Sequence, residues 1–583
     1  MYDYRLTGCA TNLIDVHVLE DQETLQRLPH TESAGYRHAV HLEKSRFLIG
    51  TRKDVFRDVE RWLTTTPENQ RTSFFVLMGE AGTGKSTVAY EIAKRLDKNK
   101  LLGGSFFFAR DVPALNNAQT VFTTLARQLA RYHESFFMRI VDGAYSFLEQ
   151  GVHQQMEYQL EQLISQPLHG LHISQPPIIV IDAVDECTDF EIGYASRGVE
   201  MLKLLIAAFR NHTLPIRIIL TSRPDFGILE VFESREFDEI GGMHHLHEFA
   251  SGTAHADISL YLHERFKEIS FRNQLLQERP STIDELAHRS EGLFIYAATV
   301  VGLLKNSGPP SNTLRVLATL LSEDTHNNHS HLSRLDKLYL TVMRTAFIDI
   351  QDPDGRAMVQ PVLGLIPTLK DRLPLKHVAI LTGLPLEDIL FILQHIRSVL
   401  SLGPNETGGN DVMVPLHATF PQFLTDSTRC IDAEYFIDPL EHHHKLATAC
   451  FRLLVDGGHL RRNICNLADP LLRKIEILDL ADRVSRAIPP HVLYACMNWV
   501  EHLSNGKIEE EVLGLFESFC HTQLLTWLEA MSFADCLDRA AFQLQCARRW
   551  YRVCHPAPFI VALYRLTVET EYCNGHKDRA DVR

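Results

Sequence analysis

The chain has 583 residues, 45% hydrophobic and 22% charged, the balance of an ordinary globular protein with room for about three to five domains. A formal net charge of −15 excludes a broad basic surface and argues against nucleic acid as the main partner. The 11 cysteines contain no C-x-x-C pair, the N-terminus carries acids without a basic n-region, and no apolar run reaches membrane-spanning length, so a reducing, cytoplasmic setting is expected.

Residues 1–40 are polar and mixed, with one short helical pattern near Leu19 to Leu28, and read as an extension too small to bury a core of its own. A core domain is expected over residues 41–250. It opens with Phe47-Leu48-Ile49-Gly50-Thr51-Arg52 and an amphipathic helix from Lys53 to Leu63. Phe74 to Met78 is an apolar run, the signature of a strand buried on both faces. Gly79 to Ser86 then spell G-x-x-x-x-G-K-S. The spacing predicts a phosphate-binding loop, with Gly79, Gly82 and Gly84 letting the backbone curl into an anion nest at the positive end of a helix that starts near Lys85. The binding set is Gly79, Glu80, Ala81, Gly82, Thr83, Gly84, Lys85, Ser86 and Thr87. Lys85 can reach the β- and γ-phosphates and the Ser86 hydroxyl can ligate Mg²⁺.

A second buried strand is expected within Gly103 to Arg110, and helices over Ala118 to Tyr132 and Met156 to Leu163. Ile178-Ile179-Val180-Ile181 is a β-branched run ending in Asp182, with Asp185 and Glu186 just beyond, the Walker B arrangement. Such a strand delivers Asp182 to the edge where ligands of open α/β sheets sit, so Asp182 can hold Mg²⁺, directly or through water, and Asp185 or Glu186 can orient or deprotonate a water. Pro215 to Leu220 is a further strand, ending at Thr221-Ser222-Arg223-Pro224, and Arg223 is placed to sense a γ-phosphate. A last strand is expected near His244 to Phe249. Strand–helix alternation to residue 250 predicts a three-layer, parallel-sheet α/β domain.

The pattern then turns helical. A helical domain is expected over residues 251–345, including Ala256 to Ile269, Ile283 to Arg289 and Leu293 to Leu304. Residues 346–430 read as a winged helix: Leu375 to Leu381, a turn, Leu386 to Val399, then a hairpin of Val399 to Leu402 and Asp411 to Val414. Residues 431–583 read as an all-helical region. Of the 30 histidines, His244, His245, His247 and the run His442 to His444 lack a cysteine or carboxylate frame at zinc spacing and are expected to be solvated or structural.

The order of motifs, GTR with its helix, GEAGTGKST, IIVIDAVDEC, ILTSRP, EGLFIYAAT and then LHATFPQFLTD, resembles the NACHT group of signal-transducing ATPases with numerous domains. The form is that of NOD-like-receptor relatives abundant in mushroom-forming fungi, some labelled nephrocystin-3-like, and the resemblance covers roughly residues 40 to 560. Asp182 followed by small Ala183, with the acid pair shifted on, is its most specific mark.

The resemblance implies an ATP/ADP-dependent switch with Mg²⁺, closed with ADP and a homo-oligomer with ATP, in signalling or fungal innate immunity and incompatibility. ATP is not distinguished from GTP. It adds Thr51 and Arg52 to the nucleotide-binding set and gives His417 the contact with the ADP β-phosphate. It implies slow regulatory hydrolysis and unnamed effector and sensor partners. Three departures stand out: about 40 residues are too few for an N-terminal effector, no C-terminal repeat is visible, and Gly292-Leu293-Phe294 lacks a proline that many relatives have. The first two leave a truncated gene model open. An ordinary P-loop ATPase or kinase, a DNA-binding regulator using the acidic Leu386 to Val399 helix, and an inactive nucleotide-binding scaffold are the alternatives.

Overall fold

All five residues of strand β1, Phe74–Met78, are buried. A strand reads as an unbroken apolar run only when both faces of its sheet are covered. The computed structural model describes residues 20–64, 73–112, 114–152, 154–187, 197–246, 251–269, 272–322, 333–348, 350, 353–404, 411–469 and 474–554. In it β1 lies inside a five-stranded sheet of order β2-β3-β4-β1-β5. The partners are β2 Leu102–Phe107, β3 Ile178–Asp182, β4 Arg217–Ser222 and β5 Gly241–His245. Every pairing is parallel.

The side-chain period of two divides the sheet between two cores. Phe74, Val76, Met78, Ile179, Ile181, Ile218 and Leu220 face the helices Val121–Ala130 and Arg197–Asn211. Phe75, Leu77, Ile178, Val180 and Ile219 face the helices Lys53–Thr64 and Lys85–Lys98. This is the expected three-layer α/β arrangement, and a Phe75→Ala change in its middle would cost about 3–5 kcal/mol. Strand β4 sits between β1 and β3, so the loop after β1 and the acid ending β3 flank the end of β4.

Two expectations need correction. The last strand is Gly241–His245, not His244 to Phe249, of which residues 247–249 lie outside the described set. A Cβ at Gly241 would fall 2.6 Å from the Phe237 ring and 2.8 Å from Phe74 Cβ, so close packing, not β-propensity, places this edge strand. The described part of the supposed extension is no appendage. Residues 20–27 are helical, Leu25, Leu28 and Ala34 lie in one sheet core, and Tyr36 lies in the other. The Thr31 N–H donates to Thr124 Oγ1 and the Tyr36 N–H to Ser105 Oγ, fixing the segment against the domain.

The chain divides into two compact units, residues 1–301 and 302–583. The first also holds the helices Ser251–Arg265, Arg272–Glu278 and Thr282–Arg289, and most of Phe294–Asn306. In the second, helices Leu375–Thr382 and Leu386–His395 precede a hairpin of antiparallel strands β6 Leu400–Pro404 and β7 Asp411–Pro415. The second helix stops four residues short of Val399, and the chain beyond it lays Ser398 on Gly302, where a Cβ would fall 3.1 Å from the Ser398 Cα. The connecting residues 405–410 lie outside the described set.

The helices Pro439–Val455, Pro490–Asn505, Glu510–Thr522 and Leu524–Phe533 bury Trp499 among Phe451, Phe516, Phe519 and Trp527, with ring centroids 5.3–5.9 Å apart. Such aromatic contacts carry much of a helical core's burial energy. His442, His443 and His444 are buried in this unit, so they are structural rather than solvated. Cys187, Cys430, Cys450, Cys465 and Cys496 are buried and in no disulfide. Among the described residues no helix is long and apolar enough to cross a membrane.

Candidate functional site

The parallel register brings the strand ends level: Met78 pairs with Ser222, and Phe107 with Asp182. The loop Gly79–Gly84 leaves the sheet here, tied to β4 by the Gly79 N–H on the Ser222 carbonyl at 3.2 Å. Gly82 and Gly84 have φ of +83° and +90°, backbone that other residues rarely adopt, so the curl rests on these two glycines. Gly79 plays another part. Its φ is ordinary, but a Cβ there would fall 3.1 Å from Thr83 Oγ1 and 3.2 Å from Leu246 Cβ. Space, not conformation, calls for glycine at that position.

The helix Lys85–Lys98 starts at Gly84, and its first intrahelical bond runs from the Val88 N–H to the Gly84 carbonyl. The N–H groups of Lys85, Ser86 and Thr87 therefore have no acceptor within the helix and face off its positive end. The buried Lys85 ammonium donates to the carbonyls of Gly79 and Glu80, arching over the loop. Burial lowers its pKa, with Asp185 acting in opposition. Thr83 Oγ1 donates to the Glu80 carbonyl at 2.8 Å, and Ala81 is half-buried. This cradle of free N–H groups around a lysine fits a phosphate.

Arg52 has a φ of +53° and donates from Nη2 to the Thr83 carbonyl at 2.7 Å. Its N–H donates to Asp257 Oδ2 at 2.9 Å, and its guanidinium lies 5.1 Å from the Phe294 ring centroid. The Ile295 N–H donates to the Gly82 carbonyl at 3.2 Å. The loop is thus gripped by Arg52 on one side and by the helix beginning at Phe294 on the other. Burial lowers the Arg52 pKa and raises that of Asp257. Thr51 is buried with its hydroxyl on the Leu48 carbonyl at 2.8 Å, so it shapes the turn that presents Arg52.

Asp182 is fully buried at the end of β3. Its Oδ1 accepts from Thr221 Oγ1 at 2.5 Å, and the same Thr221 oxygen accepts from the Ala183 N–H at 3.0 Å. Ala183 has a φ of +58°, a left-handed conformation costing of order 1–2 kcal/mol for a residue with a Cβ. The strained turn is held by the Ala183 N–H on Thr221 Oγ1 and leads into the next acids. Asp185 and Glu186 then part company. Asp185 is held in a buried ion pair, its Oδ2 3.0 Å from Arg223 Nε and its Oδ1 accepting from the Arg223 N–H at 3.0 Å. Glu186 is half-buried and accepts from the Arg110 N–H at 3.3 Å. Burial raises its pKa, while Lys44 acts to lower it. Of the two acids Glu186 is the better proton acceptor, because Asp185 is already engaged. Arg223, expected to face a phosphate, has its Nε on Asp185.

Lys44 is the site residue that the motifs did not reveal. Its Nζ lies 2.8 Å from Asp182 Oδ2 and also donates to the Phe108 carbonyl at 3.2 Å. Burial would lower its pKa, but Asp182 and Glu186 more than offset this and raise it, so it is a fixed cation. It comes from a short 3-10 segment, Ala39–Ser45, with no motif spacing to mark it. The Ser86 hydroxyl and the Asp182 carboxylate are hard oxygen donors of the kind Mg²⁺ takes, so the donor chemistry fits that ion. His417 lies in the second unit, where Nδ1 accepts from the Thr419 N–H at 3.2 Å and caps the helix Thr419–Thr425. The Thr419 hydroxyl links His417 Nδ1, at 2.8 Å, to the Tyr339 hydroxyl, at 2.7 Å.

Residues 50–223 match the family model described as nephrocystin 3, N-terminal. The match runs from the Gly50 turn through the loop and Asp182 to Arg223, and makes this stretch nephrocystin-3-like. Among solved structures the chain is similar to one titled "Structure of Drosophila ORC bound to DNA", at 15% identity over 64% of this chain and 94% of that one. The TM-score is 0.25, too low for a shared overall arrangement. No curated protein matches the chain.

Proposed function

We propose that the chain is a nucleotide-dependent molecular switch whose product is a conformation rather than a chemical. The observation carrying this reading is the way Arg52 and the Ile295 N–H hold the Thr83 and Gly82 carbonyls of the phosphate loop. Through them a change at the phosphates reaches Asp257 and the helix starting at Phe294 directly. Lys85 and the free N–H groups of residues 85–87 bind the phosphates, and Ser86 and Asp182 hold Mg²⁺, which neutralises phosphate charge when bound. Glu186 takes a proton from water. Asp185 and Arg223 act as a pair that sets the shape of the β4 end.

In the finer reading the protein is a NACHT-type switch, closed with ADP and assembling with ATP, and residues 346–430 are its winged helix. His417 is then the residue through which that domain senses the diphosphate. The resemblance of the motifs supports this, as does the succession of two helices and a hairpin before His417.

Two measurements on the purified chain test the reading. Light scattering after addition of ATP, but not ADP, should report larger assemblies. Single-turnover hydrolysis should be slow, and steady turnover of several per second, as in typical kinases, would contradict a switch. A His417→Ala variant should release ADP about ten- to a hundredfold faster, the worth of one hydrogen bond to a charged group. Wild-type release would confine His417 to its capping role.

A further inference from the structure

Both carboxylate oxygens of Asp182 are engaged. Oδ1 holds the Thr221 hydroxyl at 2.5 Å and Oδ2 holds the Lys44 ammonium at 2.8 Å. A divalent ion in direct contact with Oδ2 would stand about 2.1 Å from the same oxygen that binds the ammonium. Placing a second cation on that oxygen is opposed by repulsion that is poorly screened at a fully buried carboxylate.

Lys44 is nevertheless no stray surface charge. The 3-10 segment Ala39–Ser45 is pinned by His41, whose Nε2 bonds the Ser33 carbonyl at 2.9 Å and whose ring lies 5.3 Å from that of Phe107. The Lys44 stem runs past Phe107, with Nζ 5.2 Å from the ring centroid. Its side chain is 19% exposed while that of Asp182 is 0% exposed, so the lysine has a way out to solvent and the aspartate has none.

We propose that Lys44 is a built-in counter-cation that occupies the metal pole of the site on Asp182 and must be exchanged for Mg²⁺ before the metal can be ligated there. The proposal rests on the nucleotide-binding reading for its purpose, but the exchange itself is a property of the protein alone. Lys44 keeps the buried carboxylate paired whenever the metal is away, which matters because an unpaired buried charge is strongly destabilising. It also sets a threshold: the metal must outcompete an ion pair already in place. The three-dimensional placement makes residues 39–45, just outside the motif-bearing core, the arm that reads whether metal has arrived.

The test uses the full chain as wild type, Lys44→Met, which keeps the apolar stem without the charge, and Lys44→Arg, which keeps the charge. Mn²⁺ serves as the probe, since it takes the same oxygen donors and its free ion is counted by electron paramagnetic resonance. Without nucleotide, Lys44→Met should bind Mn²⁺ about ten- to a hundredfold more tightly than wild type, the worth of a charge-assisted contact, and Lys44→Arg should not. The Tm of Lys44→Met should fall in EDTA and recover with Mg²⁺, whereas wild type should melt alike in both. Lys44→Gln replaces Lys44→Met if the latter aggregates, with the same expectation.

Equal Mn²⁺ affinity in wild type and the uncharged variant would overturn the proposal, and so would a Tm deficit that Mg²⁺ does not repair. Affinity for fluorescent ADP in EDTA, measured on the same samples, separates the two claims. Wild type that binds no ADP sinks the nucleotide reading, while the Mn²⁺ comparison judges Lys44 by itself.

Discussion

The two units bury polar groups in different proportions. At the strand ends of the first, the interior holds two ion pairs, Lys44 on Asp182 and Arg223 on Asp185, beside the Lys85 ammonium. Among the described residues the second has one such pair, Arg429 on Asp336 at 2.7 Å, and otherwise buries mainly uncharged rings and hydroxyls. His443 bonds His502 through their Nδ1 atoms at 2.9 Å, His502 Nε2 meets the Tyr494 hydroxyl at 2.8 Å, and His377 pairs with His491 at 2.8 Å. Burial drives the pKa of His442, His443 and His491 down to about 4 and that of His502 well below its ordinary value. Buried charge is costly to keep, and a hydrophobic replacement often stabilises, so its retention in the first unit points to chemistry rather than to folding.

If that contrast is right, the charged site should answer to single substitutions in function. Glu186→Gln should slow hydrolysis about 10²- to 10⁴-fold while ATP affinity stays at the wild-type level, as expected on losing a general base. Rapid-quench single turnovers check it, and a wild-type rate would mean that the water is positioned by another group.

The next largest effect should be on stability. Asp185→Ala leaves the Arg223 guanidinium without its buried partner and should cost about 3–5 kcal/mol, read from urea unfolding of the first unit. A loss below about 1 kcal/mol would mean that the pair behaves like a surface ion pair.

Lys85→Ala should weaken nucleotide binding about ten- to a hundredfold with little change in Tm, because its present partners are loop carbonyls that water can satisfy. Equilibrium titration with a fluorescent nucleotide measures this.

The smallest effect per residue should come from acid, and it should fall mainly on the second unit, which buries the rings of His442, His443, His491 and His502, against His41 in the first, whose pKa burial pushes down to about 3. Well above pH 6.5 the buried rings are neutral in both folded and unfolded chains and add no pH dependence. Between pH 6.5 and about 4 the unfolded chain takes up protons that the folded one cannot, so stability falls with pH. One pH unit into that window each ring costs about 1 kcal/mol. Hydrogen exchange resolved by region should show the helices Pro439–Val455 and Pro490–Asn505 loosening first, and uniform loosening of both units would remove the distinction.

What could be read in advance follows from how local each signal is. β1, β3 and β4 announced themselves because parallel strands covered on both faces are apolar throughout, and the loop because its glycines and lysine stand at fixed spacing. The Asp182–Ala183 pair was legible only through the resemblance, and its left-handed turn, with Ala183 at φ +58°, had no sequence signal because alanine gives none. Lys44 was hidden because its partner Asp182 lies 138 residues away and no periodicity connects them. β5 was misplaced because Gly241 and Gly242 lack any β pattern and are held by the fit of Phe237 and Phe74 around Gly241. The role of Asp185 was equally unreadable: its neighbour Glu186 has the same chemistry, and only the reach of Arg223 from β4 tells them apart.

The central claim, that the loop from Gly79 to Ser86 holds a nucleotide as the switch element of this chain, is tested most directly by the nucleotide content of the purified protein. Denaturing the full chain and separating the released small molecules by chromatography should yield close to one adenine or guanine nucleotide per chain, mostly diphosphate, and far less from Lys85→Ala. A wild-type chain that carries none, and that binds neither labelled ATP nor labelled GTP at micromolar concentration, would contradict the account.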